Sequence, residues 1–363
     1  MAKANASEVV AKIEKAQEAR RRRAVLRESH ITMSHGSGGK ATHNLIDAVF
    51  AQTLSNPYLD RMEDSAVMSW DASSKVALTT DTYVVSPVTF PGGDIGSLAV
   101  HGTINDLAMA GAMALGLSAG FILEEGFPIE DLRHIVTSMA EASARAHVPI
   151  VTGDTKVVPR GKGDGIYINT AGIGRLLPGT SLGYDKIRVG DKVIVSGDLG
   201  DHGIAVMLAR ESLDIDADVK SDSAPLHAMV YDLITQLGPA VHCLKDPTRG
   251  GVATTLNELT QSSRLAIGLK ERAIPIKDVI KGTCELLGLD PLTIANEGKL
   301  IAIVDAQVAD EALAIIRSHE QGYHAQIIGE VLPEPEGMVF MHTDIGGMRV
   351  LDMLVGDPLP RIC

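Results

Sequence analysis

"VGDKVIVSGDLGDHGIAVML" (residues 189–208) opens on a turn, runs through an apolar β-branched segment, breaks at glycine and aspartate, and resumes at helical spacing. This strand–loop–helix pattern follows "PGTSLG" (178–183), a turn-rich connection. It therefore restarts a folding unit rather than extending one. Upstream, "KVALTTDTYVV" (75–85), "VPIVTGDTKVV" (148–158) and "GDGIYINTAGIGRL" (163–176) read as strands. "IEDLRHIVTSMAEASARA" (129–146) reads as a helix opened by Glu130 and Asp131, where acids favour the helix dipole. Strands and helices mix without strict alternation in both halves, so the expected class is α+β. The expected division is a first domain over 30–179, a second over 186–357, and a mobile tail over 358–363. Residues 1–29, rich in Ala, Glu and Arg, read as a solvated helical extension.

The totals narrow the function. A length of 363 residues suffices for two domains with cores. The net charge of −13 argues against a nucleic-acid groove. No apolar run is long enough to span a bilayer. Three cysteines, Cys243, Cys284 and Cys363, with no C-x-x-C pair and no secretory signal, point to a reducing, cytoplasmic setting. "VHCL" and "GTCELLG" place Cys243 and Cys284 in apolar strand and helix settings. Cys363 ends the chain in "PRIC", too close to the end for prenylation. It reads either as a loose end or as a reactive thiol on a tether.

Two glycine motifs invite over-reading. "SHGSGGKATHNL" (34–45) is not a Walker A loop, because Ala41 follows Lys40 where Ser or Thr is needed. It matches only the weak G-x-G-x-x-A pattern, yet the main chain at Gly36, Gly38 and Gly39 could cradle phosphate. "GLSAG" (116–120) matches a nucleophile elbow, but more strand follows it, so Ser118 reads as a packing residue.

The acids carry more. Asp64, Asp81, Asp106 and Asp154 each sit at the edge of an apolar segment or among small residues. Any one could be a turn or cap residue. Together they suit a hard cation such as Mg²⁺ with nucleotide phosphates as further ligands. "GDLGDHG" (197–203) and "DPTRGG" (246–251) read as loops, the second entering a helix N-terminus, which attracts anions. Glu297, in "ANEGKL", is a candidate positioned carboxylate.

Taken together, "HGSGGK", "TDTYVVSPVTFPGGDIGSLAVHGTINDLAMAGA", "FILEEGFP", "VTGDTKVVPRG", "INTAGIG", "VSGDLGDHG", "DPTRGGVATTLNE", "CELLGLDPLTIANEGKL" and "PRIC" resemble the HypE family of hydrogenase maturation factors. That family is similar in turn to aminoimidazole ribonucleotide synthetase and selenophosphate synthetase. The resemblance runs from about His35 to Cys363. It implies two α+β domains, the first pairing into a dimeric β-barrel-like sheet. It implies ATP-dependent dehydration of a carbamoyl group on Cys363 to a thiocyanate. The cyanide would then supply a nickel–iron hydrogenase site. The implied partners are a HypF-type carbamoyltransferase, a HypC–HypD scaffold and a second copy of the chain. By the same resemblance Asp64, Asp81, Asp106 and Asp154 hold Mg²⁺-ATP, Glu297 is the base, and Lys156 stabilises oxygen or phosphate. The terminal thiol would be a carrier, extended by Pro358 and Pro360, with no packing contact of its own. Two readings compete: a synthetase acting on a diffusible substrate, and a non-enzymatic scaffold.

Overall fold

The computed structural model describes residues 39–50, 62–69, 75–210, 217–354 and 361–363. Residues Glu63–Met353 and Arg361–Cys363 form one compact unit. In the other unit a short helix, Lys40–Leu45, starts after Gly39, and the Lys40 amide donates to the Leu354 carbonyl at 3.2 Å. A Cβ at Gly39 would collide with that carbonyl, so glycine is required there by close approach. Gly36, Gly38, Pro358, Pro360 and the extension 1–29 lie outside the described residues.

The first half of the large unit is a five-stranded mixed sheet. Its strands are β1 (Ala66–Ser69), β2 (Lys75–Tyr83), β5 (Ala112–Glu124), β6 (Ile150–Val158) and β7 (Ile166–Leu176), ordered β1-β2-β7-β5-β6. Only β5 and β6 run parallel. Between β2 and β5 a two-stranded ribbon, β3 (Thr89–Phe90) with β4 (Gly93–Asp94), leads into the helix Ile95–Met109. That helix is capped by Asp94, which accepts from Gly96 and Ser97, while the Ser97 hydroxyl accepts from the Asp94 amide. It is buried almost all round, at every position but Asp106. The helix Ile129–Ala146 packs outside it, with its acids at the start and His147 closing it in the left-handed region at φ 56°. The helix Ile129–Ala146 matches the sequence reading, which did not identify the helix Ile95–Met109; both lie on one face of the sheet.

The other face carries no helix among the described residues. Thr170 of β7 is fully buried against Thr103 and Ala99 of the helix, whereas Asn169 and Ile173 of β7 point away from it. Leu78, Met113, Ile122 and Ile173 are exposed there. This alternation follows from the two-residue period of a strand.

The second half is a seven-stranded mixed sheet. It comprises β8 (Lys192–Val195), β9 (Val241–Lys245), β10 (Ala266–Lys270), β11 (Ile301–Val304), β12 (Gln326–Leu332), β13 (Val339–His342) and β14 (Met348–Leu351), ordered β14-β13-β10-β12-β8-β11-β9. Helices His227–Leu237 and Ala309–Arg317 contribute to the core on one face, and helix Gly251–Ser263 to the core on the other. Strands covered on both faces read as unbroken apolar runs, which is why "VIV" in β8 and "IAIV" in β11 show no alternation. Cys243 packs in β9 and Cys284 in helix Asp278–Leu287, both buried and free.

A segment over 217–226 joins the halves. Asn105 donates to the Ala224 carbonyl at 3.0 Å and accepts from the Leu226 amide at 2.8 Å. Asn105 also donates to the Glu297 carbonyl at 3.3 Å, and Asp222 accepts from the Glu297 amide at 3.0 Å. Glu297 is thus fixed by its main chain from both halves.

Candidate active site

Five acids from both halves face one buried space. Asp64 precedes β1, Asp81 lies on the helix-covered side of β2, and Asp106 opens the last turn of helix Ile95–Met109. Asp246 follows β9 and Glu297 precedes β11. The Thr79 hydroxyl lies 2.8 Å from the Asp106 carboxyl and 3.0 Å from the Asp64 carbonyl, tying Asp64 and Asp106 together. Burial pushes the Asp106 carboxyl well above the ordinary range, and Asp246, Asp81 and Asp64 push it further. Burial, then Asp64, raises Asp246 to about 7. Burial, then Asp246, Asp81 and Asp222, raises Glu297 well above the usual carboxylate value, with Arg249 opposing. Such mutual elevation of clustered buried carboxyls marks a candidate functional site.

One lysine answers part of that charge. Lys245, buried at the end of β9, pairs with Asp64 and lies 3.5 Å from Glu258. Burial disfavours its charge, but Asp64, Tyr184 and Glu258 outweigh this and hold its pKa well above the usual lysine value. Burial raises Asp64, and Lys245 opposes the rise. Among the described residues no three such side chains converge as a preformed metal site. The donor set is still all oxygen, buried and acidic, which fits a hard divalent cation that shares ligands with phosphate.

The terminal thiol lies in the same place. Cys363 is buried, and Arg249 donates to its Sγ at 3.1 Å and to its main-chain oxygen at 3.2 Å. The Val84 amide also donates to the Cys363 main-chain oxygen, at 3.2 Å, and the Ser86 amide to the Arg361 carbonyl at 3.1 Å. His202 holds the Ile362 carbonyl at 2.8 Å, and Arg210 the Arg361 carbonyl at 3.1 Å. Arg361 pairs with Asp164. The expectation of a tail without packing contacts is therefore corrected for its last three residues: Ile362 is only 2% exposed. The physical reason is main-chain hydrogen bonding, which composition does not reveal. Burial pushes the Cys363 thiol up to about 12, with Arg249 opposing the rise.

The predicted four-aspartate set is divided. Gly120 of β5 is in register with Asn169 on one side and Asp154 on the other, so Asp154 shares the open face with Asn169, and Lys156 lies two residues further along it. Both side chains are exposed and pair with each other. The hydrogen bond from Lys156 is the main cause that lowers the Asp154 carboxyl. Asp81 and Asp106 face the helix side. A chain by itself thus brings Asp64, Asp81, Asp106, Glu297 and Cys363 together, and leaves Asp154 and Lys156 across the sheet. Ser118 lies within β5, not at a strand-to-helix turn, as its packing reading requires. Sequence reasoning assigned no role to Lys245, Asp246, Arg249 or His202. The motifs "LKDPTRGG" and "GDLGDHG" were their signal.

Two mixed-sheet α/β halves with a buried acidic seam define a recognisable class. Residues 62–176 match the family model "AIR synthase related protein, N-terminal domain", and residues 188–342 match its C-terminal domain. Within that class, the chain belongs to the HypE family. It is 52% identical over 338 residues to carbamoyl dehydratase HypE of Azotobacter vinelandii, covering 93% of this chain and 98% of that one. It is 44% identical over 339 residues to carbamoyl dehydratase HypE of Escherichia coli K12, covering 92% and 100%. Among solved structures it resembles a HypE–HypF complex with a TM-score of 0.81, at 48% identity over 85% of this chain and 99% of that one. It also resembles HypE bound to ATP, with a TM-score of 0.77, at 46% identity over 92% and 100%.

Proposed function

We propose that this chain is an ATP-dependent carbamoyl dehydratase of hydrogenase maturation, and that its substrate is a carbamoyl group on its own Cys363. The observation that carries this reading is the terminal thiol seated against Arg249 beside Glu297 and the acids. A carbamoyl oxygen is a poor leaving group. Transfer of the γ-phosphoryl to that oxygen, with loss of one N–H proton, gives an S-bound imino phosphate and ADP. Cleavage of its C–O bond, with loss of the second N–H proton, gives the thiocyanate and phosphate. The chain must hold the sulfur, accept protons and stabilise charge on oxygen. Arg249 serves the first and third needs by position, and Glu297 is the proton acceptor of this reading.

ATP is the co-substrate, supported by the relative solved with ATP. Mg²⁺ bound with it would supply positive charge to the phosphates and to Asp64, Asp81 and Asp106. Gly36, Gly38 and Gly39 belong to the proposed phosphate loop. The thiol is loaded by a HypF-type carbamoyltransferase, a reading supported by the related HypE–HypF complex. A HypC–HypD scaffold as the cyanide acceptor rests on the family resemblance. The open apolar face, with Leu78, Met113, Ile122 and Ile173, supports a homodimer closing a barrel-like sheet. Asp154 and Lys156 lie on that face, so they act across the seam, on the partner copy's side. Among the described residues no helix is long and apolar enough to cross a membrane. With three free cysteines, we place the protein in the cytoplasm.

The test is mass spectrometry of the C-terminal peptide. With the carbamoyltransferase, its substrates and ATP, that peptide should gain a carbamoyl group on Cys363 and then lose one water. Cys363→Ala should show neither change. Modification at Cys243 or Cys284 instead would refute the carrier assignment.

A further inference from the structure

The motif "GDLGDHG" has no place in the chemistry above, yet its histidine touches the tail. His202 stands in the first turn of helix Asp201–Leu208 and is fully buried. Its Nε2 lies 2.8 Å from the Ile362 carbonyl, and its Nδ1 lies 2.8 Å from the Ser221 hydroxyl. A carbonyl only accepts, so Nε2 carries the proton. In the neutral ring Nδ1 then accepts from Ser221. The Ser221 oxygen in turn accepts from the Ser223 amide at 3.1 Å. Every group in this chain has a partner, and the ring has one tautomer and one orientation.

The same segment reaches the proposed base. Ser221 is anchored by its amide to the Pro91 carbonyl at 2.8 Å, and its neighbour Asp222 accepts from the Glu297 amide. The seat of the tail and the seat of Glu297 are therefore two ends of one strap. The seat grips main-chain oxygens of all three last residues. It reads the backbone, so it suits a tail whose thiol carries different groups at different stages. A thiol buried this deeply cannot meet a second enzyme without leaving the seat.

We propose that His202, oriented by Ser221, is the positioning residue for dehydration. It latches the Ile362 carbonyl so that the group on Cys363 lies against Arg249 and Glu297, and its loss releases the tail to a state that can be loaded but turns over poorly. This rests on the carbamoyl dehydratase reading given above.

Two readouts on the full-length protein separate the two claims. The first is the rate at which iodoacetamide alkylates Cys363 in the native state, read by peptide mass spectrometry. Loss of one buried hydrogen bond should speed it about tenfold in His202→Ala. His202→Gln retains an N–H donor at the same reach and should bring it back near the wild-type rate. The second readout is single-turnover dehydration against carbamoyl loading. His202→Ala should slow dehydration about tenfold or more without slowing loading. A folded His202→Ala that protects Cys363 like the wild type, or dehydrates at the wild-type rate, overturns the proposal. So does failure of Gln to restore protection. If His202→Ala does not fold, Ser221→Ala, which removes the donor to Nδ1, is read the same way. A wild-type chain that never gains a carbamoyl group refutes the functional reading instead, and the alkylation rates still judge the latch.

Discussion

The Arg249 guanidinium lies 3.1 Å from the Cys363 sulfur, and the thiol is nevertheless raised to about 12, because burial outweighs the nearby cation. A docked Cys363 is therefore a thiol, not a thiolate, at neutral pH, and a poor nucleophile there. Loading belongs to the undocked tail. Ultraviolet titration at 240 nm, as wild type minus Cys363→Ala, should show no thiolate step near pH 9 in the native protein. A step there would mean that the thiol is free. Denaturation should restore it.

Asp81→Asn and Glu297→Gln should separate binding from chemistry. Removing the Asp81 charge should lower affinity for ATP in magnesium by about tenfold or more, some 1.4 kcal/mol. Calorimetry decides it, and an unchanged affinity would remove Asp81 from the site. Glu297→Gln mimics the protonated acid and should bind ATP nearly as the wild type does. It should slow thiocyanate formation by about 10²-fold or more, because an amide cannot accept the proton. Full thiocyanate yield would exclude Glu297 as the base.

The raised acids make stability depend on pH. Asp246 has a folded value of about 7 against an ordinary 3.8, so between these values the folded state holds a proton that the unfolded state has lost. Its contribution is present below the lower value and disappears as pH rises through the upper one. Glu297 and Asp106 shift in the same direction. Without ligand, Asp246 by itself should make the melting temperature fall from pH 5 to pH 8, against the opposite pull of His101, His202 and His227, whose burial lowers their pKa. Asp246→Asn should flatten that slope. A melting difference between wild type and Asp246→Asn that does not change with pH across this window would contradict the burial of Asp246.

The open sheet face gives a test of assembly. Ile122 is 45% exposed, and its β6 neighbour in register is Lys156. Ile122→Asp should leave the fold intact and convert a dimer to a monomer in sedimentation velocity, because a buried charge at a sheet–sheet contact is costly. If Lys156 acts across the seam, mixing Lys156→Ala with Glu297→Gln should recover part of the activity that each lacks. No recovery from mixed, exchanging dimers would place Lys156 outside the partner's site.

Much of this was legible from residue patterns. Apolar spacing and terminal acids identify the helix Ile129–Ala146, and β-branched runs identify β2, β6 and β7. These are local signals, set by side-chain period and by the unpaired amides at a helix start. Asp81, Asp106 and Glu297 stand out as acids among small or apolar neighbours, because a buried charge needs a reason. Two features were decided only by long-range contacts. Alternation along β6 puts Asp154 on one of two faces, but which face meets the helices depends on pairing with β5 and on what packs behind β7. The seat of Arg361–Cys363 rests on the Val84 and Ser86 amides and on His202, Arg210 and Arg249, whose contacts span 160, 151 and 114 positions of the chain. Main-chain donors look alike in every sequence, so only the folded chain can say which of them meet.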